Sequence, residues 1–214
     1  MTSTPPAQID GSFGAVLLAG GASRRFGADN KLLAEIGGKP MLANVAGVLL
    51  AVGIRDLVVV TGSEQQAYEA ALAGLPVRFV HNALWDEGMG GSVAAGVRTL
   101  AASSRGTFIV PGDMANLSPD MLRRLAEAFG GAGGEMVVVP VTTRGEQRNP
   151  VLWPRRLFPD LAALSGAKGG KTVLDRLSSS ERLDVAFEDV SLFADIDTRD
   201  DYARLIGEPE GDTC

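Results

Sequence analysis

Gly14-Ala15-Val16-Leu17-Leu18-Ala19-Gly20-Gly21-Ala22-Ser23-Arg24-Arg25-Phe26-Gly27, followed by Lys31, is the first patterned segment of the chain. Its opening half is apolar without alternation, as expected of a strand buried on both faces. The strand ends in two glycines and then basic residues. Glycine lets backbone N–H groups approach phosphate oxygens without a Cβ in the way, and those N–H dipoles cradle negative charge. Arg25 and Lys31 then stand within a loop's reach to neutralise a triphosphate and the charge that develops on a departing pyrophosphate. The spacing is not GxGxxG, because Ala22 replaces the second glycine, and it is not Walker A, because Lys31 lies between Asn30 and Leu32. A tight turn with solvated arginines is the competing interpretation, but phosphate binding accounts for glycines and cations together.

Downstream, short apolar runs alternate with helix-period segments, the pattern of repeated βα units and a mostly parallel sheet. Strands are expected at 14–19, 57–61, 77–82, 107–110, 135–141, from 150, and 182–187. Helices are expected at 40–52 (with Gly53 as stop), 64–73, 92–102, 118–129, 154–164, 171–177 and 197–206. The fold class is therefore α/β, a single three-layer αβα domain with a Rossmann-like sheet over residues 13–207. Residues 1–12 and 208–214 are expected to be flexible tails.

Composition narrows the function. With 214 residues and 45% hydrophobic content, the chain can bury a sizeable core. A formal net charge of −6 argues against nucleic acid as partner. Arg24, Arg25, Lys31 and Lys39 nevertheless form a cationic stretch suited to a small anionic ligand. The lone cysteine, Cys214, permits no internal disulfide, residues 1–12 carry no signal-peptide pattern, and no apolar run approaches the length of a bilayer span. A cytoplasmic protein without a membrane association is expected. Glycine, at 27 residues, has about twice its usual share and gathers in loops after apolar runs, where backbone can approach a ligand.

Further constellations add chemistry. Asp113 ends the apolar run 107–110, and in open α/β sheets a carboxylate at a strand's carboxyl end can hold Mg²⁺ against phosphate. From position alone, a turn aspartate bonding its own backbone is an equal reading. Asp195 and Asp197 offer further carboxylates, although Asp197 or Thr198 can simply cap the last helix, with Asp200 or Asp201 as the reciprocal residue. Gly88-Met89-Gly90-Gly91-Ser92 opens a helix. Its small residues would let a base and ribose lie on backbone, with Ser92 as hydrogen-bond donor, as N-cap, or both. Ser165-Gly166-Ala167-Lys168-Gly169-Gly170-Lys171-Thr172 approximates a P-loop, but a helix rather than a strand precedes it, so it is set aside as an ATPase signature and kept as a basic loop that could meet an acceptor phosphate. His81, without triad or metal partners in the sequence, and Trp85 and Trp153 are read as structural.

The run LAGGASRRFG (18–27) with Lys31, GMGGSVAAGV (88–97), PGDM (111–114), RNPVLWPRRLFPDLAALSG (148–166) and DIDTRDDY (195–202) together resemble the molybdenum-cofactor nucleotidyltransferases of the GT-A-like NTP-transferase superfamily, most of all the branch that makes the cytosine dinucleotide. The resemblance implies that Leu18, Ala19, Gly20 and Gly21 contact the nucleotide. Arg25 and Lys31 would meet its phosphates, with Asn82 near base or ribose. It implies Mg²⁺ on Asp113 and Asp197, and in-line attack of a molybdopterin phosphate on the α-phosphorus of CTP or GTP. The chain departs from the cytidylyl pattern at Gly20-Gly21, which resembles the guanylyl branch. It departs again at Ala167 and Lys171, where aspartate and arginine or alanine are usual.

Cytidylyl transfer to molybdopterin is thus the leading expectation. Guanylyl transfer, transfer to a sugar phosphate, or a non-catalytic accessory role toward a molybdenum hydroxylase client are the alternatives.

Overall fold

The computed structural model describes residues 9–21, 26, 30–194, 196 and 198–206. In chain order its elements are β1 (Phe13–Ala19), β2 (Glu35–Ile36), β3 (Lys39–Pro40), α1 (Met41–Ala51), β4 (Asp56–Thr61), α2 (Gln65–Ala71), β5 (Arg78–His81), α3 (Met89–Thr99) and β6 (Gly106–Pro111). There follow α4 (Pro119–Gly131), β7 (Val137–Thr142), β8 (Val151–Pro154), α5 (Phe158–Ala162), α6 (Lys171–Leu174), β9 (Arg182–Phe187) and α7 (Arg199–Ile206). Seven strands form one sheet in the order β5-β4-β1-β6-β8-β7-β9. All pairings are parallel except those of β8, which runs antiparallel to β6 and β7. The expected mostly parallel α/β sheet is present.

Alternation along each strand sorts side chains to two packed faces. From β1, Ala15, Leu17 and Ala19 join a core with α1, α2 and α4, while Val16 packs on the other face with residues of α3, α5 and α6. Both faces of β1 are covered, which is why its sequence is apolar throughout. Helix α3 comes very close to the sheet: a Cβ on Gly96 would collide with Val16 and Val60.

Local signals explain most boundaries. Gly53, at φ 104°, ends the segment after α1, and the Ser118 hydroxyl accepts the Met121 N–H at 3.1 Å to cap α4. Four expectations need correction. The helix expected from Ser92 starts at Met89, so Gly88 is the N-cap and Ser92 lies inside the first turns, unable to cap. The helix expected from Pro40 starts at Met41, because Pro40 is held in a short hairpin in which Glu35 pairs with Pro40. The helix expected over 154–164 is a 3₁₀ turn at 155–157 followed by the short α5. Helix α6 stops at Leu174.

Candidate functional site

Register brings several glycines to one edge. Ala19 pairs with Thr61, Thr61 with His81, and Leu18 with Pro111. One step further on, Asn82, Gly62 and Gly20 therefore line up across the carboxyl ends of β5, β4 and β1, with Gly112 following β6 level with Ala19, at the edge where open parallel sheets bind ligands. The row leaves no room for side chains. A Cβ on Gly62 would lie 2.7 Å from the Gly20 oxygen and 2.7 Å from Trp85 Cγ, and one on Gly112 would lie 2.9 Å from the Leu18 oxygen. The Gly112 N–H donates to that oxygen at 3.0 Å. Gly21 differs: no described atom lies within 4 Å of where its Cβ would be.

Lys31 and Asp113 meet beside this row. Lys31 Nζ is 2.5 Å from Asp113 Oδ2, with the two side chains only 15% and 19% exposed. The carboxylate thus engages a cation from a distant part of the chain, which favours a charge-handling role over that of a simple turn aspartate. Lys31 opens a three-residue 3₁₀ turn, Lys31–Leu33. Asn30 caps that turn, its Oδ1 accepting the Leu32 N–H at 3.0 Å, while its Nδ2 donates to the Tyr68 hydroxyl at 2.7 Å. Burial raises the Tyr68 hydroxyl pKa above its ordinary value; the Asn30 bond opposes this and Glu64 adds to it. Neither Asn30 nor Tyr68 was singled out from the sequence, although an Asn two residues before an acceptable N–H is an Asx-turn signal.

Asn82 and Ser92 are brought together as well. Asn82 is 9% exposed; its Nδ2 donates to Ser92 Oγ at 3.0 Å and its Oδ1 accepts the Leu84 N–H at 3.1 Å. Ser92 Oγ in turn would be 3.2 Å from a Cβ on Gly20. The two residues brace the start of α3 against the end of β1. Trp85, read from the sequence as a packing residue, lies half-buried against Gly20 and Gly62 at the edge of the site. Gly88, at φ 128°, and Gly90 approach backbone of this same chain: a Cβ on either would be within 2.6 Å of residues 165–167, and the Gly90 N–H donates to the Gly166 oxygen at 2.8 Å. The basic loop 165–170 is therefore seated on the start of α3, and α5 rather than a strand precedes it, so it is no P-loop.

Arg25 and Asp197 lie outside the described residues. Phe26 is buried and meets Tyr202 of α7 edge-on with ring centroids 5.8 Å apart. The cap of α7 is made by Thr198 and Asp201, each bonding the other's backbone N–H, at 3.1 and 2.9 Å. A cavity of about 350 Å³ is lined by Met114, which follows Asp113 in the chain, and by Gln147, Arg148, Asn149 and Phe193. Arg148 bonds Glu146 there at 2.6 Å. Its position follows from the antiparallel entry of β8 beside β6, which the local sequence does not announce.

Comparison with known proteins identifies the family and the fold. Residues 15–182 match the profile of the MobA-like NTP transferase domain. A molybdenum cofactor guanylyltransferase from Cupriavidus pinatubonensis is 31% identical over 87% of this chain and 92% of its own length. Other relatives are spanned less fully: the chain covers 26% of a bifunctional protein GlmU from Sorangium cellulosum and 54% of a probable molybdenum cofactor guanylyltransferase from Natronomonas pharaonis. A nicotine blue oxidoreductase from Paenarthrobacter nicotinovorans is 38% identical over 38% of the chain. Among solved structures, Rv0371c of Mycobacterium tuberculosis superposes with a TM-score of 0.78 at 25% identity, covering 92% of this chain and 98% of that one, and it has also been crystallised as a complex with manganese. With its mostly parallel sheet and its strand-end glycines, the chain belongs to the MobA-like NTP transferase family, among the nucleotidyltransferases.

Proposed function

We propose that this protein transfers a nucleoside monophosphate from an NTP to the phosphate of a molybdopterin-type acceptor, releasing pyrophosphate. The observation that carries the reading is the Lys31–Asp113 pair set at the end of a row of strand-end glycines. An acceptor phosphate oxygen bonds the α-phosphorus, the bond from that phosphorus to the β-bridging oxygen breaks in line, and pyrophosphate carries away the electron pair. Backbone at Leu18, Ala19, Gly20 and Gly21 holds the nucleotide, and Arg25 and Lys31 offset the charge that grows on the leaving group. Asn82 and Ser92 border the nucleoside end, whereas Gly88 is covered by backbone 166–167. The acceptor enters from the cavity beside Met114, where Arg148 can meet its phosphate.

A divalent cation suits Asp113. Among the described residues no three His, Cys, Asp or Glu side chains gather as a ligand set, and Mg²⁺ commonly takes one or two carboxylates with phosphates and water for the rest. Asp113, with Asp197 as second ligand, would hold it, and the ion would supply Lewis-acid neutralisation of the phosphates. That Rv0371c, a protein of the same fold, has been crystallised with manganese supports a divalent cation as the partner. Bound substrate held in line supplies most of the remaining rate enhancement.

Cytidylyl transfer is the leading reading for the nucleotide, from the motifs at 88–97 and 148–166. Guanylyl transfer is favoured by Gly20-Gly21 and by the name of the Cupriavidus relative. Pyrophosphate release assayed with each NTP and Mg²⁺, with and without molybdopterin, tests both. Release with CTP alone among the NTPs supports the first reading and release with GTP the second. Absence of acceptor-dependent release with either, or full turnover by Asp113→Ala, overturns the proposal.

A further inference from the structure

We propose that Tyr68 and Asn30 are positioning residues that fix the Lys31 side chain against Asp113; the catalytic part of this inference rests on the transferase reading above. The turn that carries Lys31 is three residues long, and its two internal hydrogen bonds, Leu33 N–H to the Asn30 oxygen at 3.0 Å and Ala34 N–H to the Lys31 oxygen at 3.2 Å, shape it without fixing where it sits. It is held from outside. Asn30 Oδ1 takes the Leu32 N–H, and Asn30 Nδ2 is anchored 38 residues away on the Tyr68 hydroxyl at 2.7 Å. Tyr68 is 1% exposed, with its ring in the same core as Leu42, Leu49 and Leu72.

A phenylalanine would serve that core without the cost of burying a hydroxyl, so the oxygen is accounted for by what it holds. The resulting chain of contacts runs from helix α2 through Asn30 to the first residue of the turn, and from Lys31 to Asp113 at the sheet edge. Tyr68 lies in the core and acts through Asn30. Because Lys31 meets charge that grows as pyrophosphate departs, loosening it slows turnover more than it weakens NTP binding.

The test combines labelling and kinetics on the full chain. Trace acetic anhydride labels lysines, and peptide mass spectrometry separates Lys31 from Lys39, Lys168 and Lys171, the other lysines of the sequence. In Tyr68→Phe, labelling of Lys31 is expected to rise severalfold while that of the other three stays at the wild-type level. The kcat is expected to fall about ten- to a hundredfold with KM for NTP nearly unchanged, the scale of a modest misplacement. Asn30→Ser, which can cap the turn but not reach Tyr68, should behave like Tyr68→Phe, and Asn30→Asp, which can do both, should restore tight labelling and turnover.

Wild-type Lys31 labelling in a folded Tyr68→Phe protein overturns the inference. So does a uniform rise at all four lysines with a lowered melting temperature, which marks Tyr68 as core support alone. Should Lys31→Ala keep full activity, the transferase role of Lys31 fails instead, and the labelling result still decides whether Tyr68 and Asn30 position it.

Discussion

Lys31 and Asp113 stand 82 residues apart in sequence, and their side chains meet at 2.5 Å between the turn after β1 and the end of β6. Both are mostly covered, so neither charge is idle surface. Asp113→Asn keeps shape and hydrogen bonding but removes the charge. It is expected to lower kcat for pyrophosphate release by about 10²-fold or more, comparable to losing one preorganised charge-stabilising group. The cost to folding should stay below the roughly 3–5 kcal/mol of breaking a buried pair, because the asparagine oxygen can still accept from Lys31. Steady-state kinetics beside thermal melts check this, and an Asp113→Asn enzyme with half of wild-type turnover would sink it.

Two glycines of the edge should respond in opposite ways. Gly62→Ala places a Cβ 2.7 Å from the Gly20 oxygen and 2.7 Å from Trp85 Cγ. Backbone and a packed ring cannot both withdraw, so the ends of β1 and β4 spread, at about 1–3 kcal/mol of stability. Gly21→Ala meets no described atom within 4 Å and should leave stability within about 0.5 kcal/mol of wild type. Its effect should fall on the triphosphate, whose oxygens need the bare backbone. Denaturant melts and calorimetric titration with NTP and Mg²⁺ measure both quantities. Normal NTP affinity in Gly21→Ala would show that the glycine turn does not cradle phosphate.

Tyr68 sets a pH dependence. Burial, chiefly, holds its pKa above the ordinary value near 10. Between that value and the raised native one, the unfolded chain has released the proton while the native protein still holds it. The native state then binds more protons, so stability falls as pH climbs through the window, having been fully present below about pH 10. Tyr68→Phe removes this component. Urea melts from pH 8 to 11 should show a shallower alkaline loss for the variant, and parallel curves would rule Tyr68 out as the source.

Much of this arrangement was legible from residue order. The unalternating run 14–19 announced a doubly buried strand, and Asp113 followed an apolar run that forms β6. These are local signals, written within a few residues of the feature that they make. What escaped depends on pairings across the chain. Ser92 looked like an N-cap because serine before an apolar helix usually is one. The crossing of loop 165–167 over Gly88 and Gly90 lets the helix begin earlier and draws Ser92 inside to meet Asn82. The glycines at 88 and 90 looked open to a ligand for the same reason, since nothing local reveals that backbone 75 or more residues on will fill the space. Tyr68, spaced like any core residue of a short helix, gains its partner Asn30 only once α2 packs on the turn after β1.

The remaining prediction concerns Trp153, which is buried on β8 with its Nε1 lacking a hydrogen-bond partner among the described residues. An unmet buried donor costs about 1–3 kcal/mol. Trp153→Phe removes that donor along with the outer ring, so the gain offsets part of the lost packing, and the net loss should stay well under the roughly 3–5 kcal/mol of a large-to-small change. The outer ring also explains Gly170, whose Cβ would lie 2.9 Å from Trp153 Cζ2. Gly170→Ala alone should therefore cost about 1–3 kcal/mol through overpacking. In the Trp153→Phe background the same methyl enters vacated volume, and the two changes should be coupled by about 1 kcal/mol or more in the favourable direction. A double-mutant cycle from urea melts measures the coupling. Additive costs would mean that the loop carrying Gly170 shifts freely on β8, in which case Trp153 does not hold loop 165–170 in place over α3.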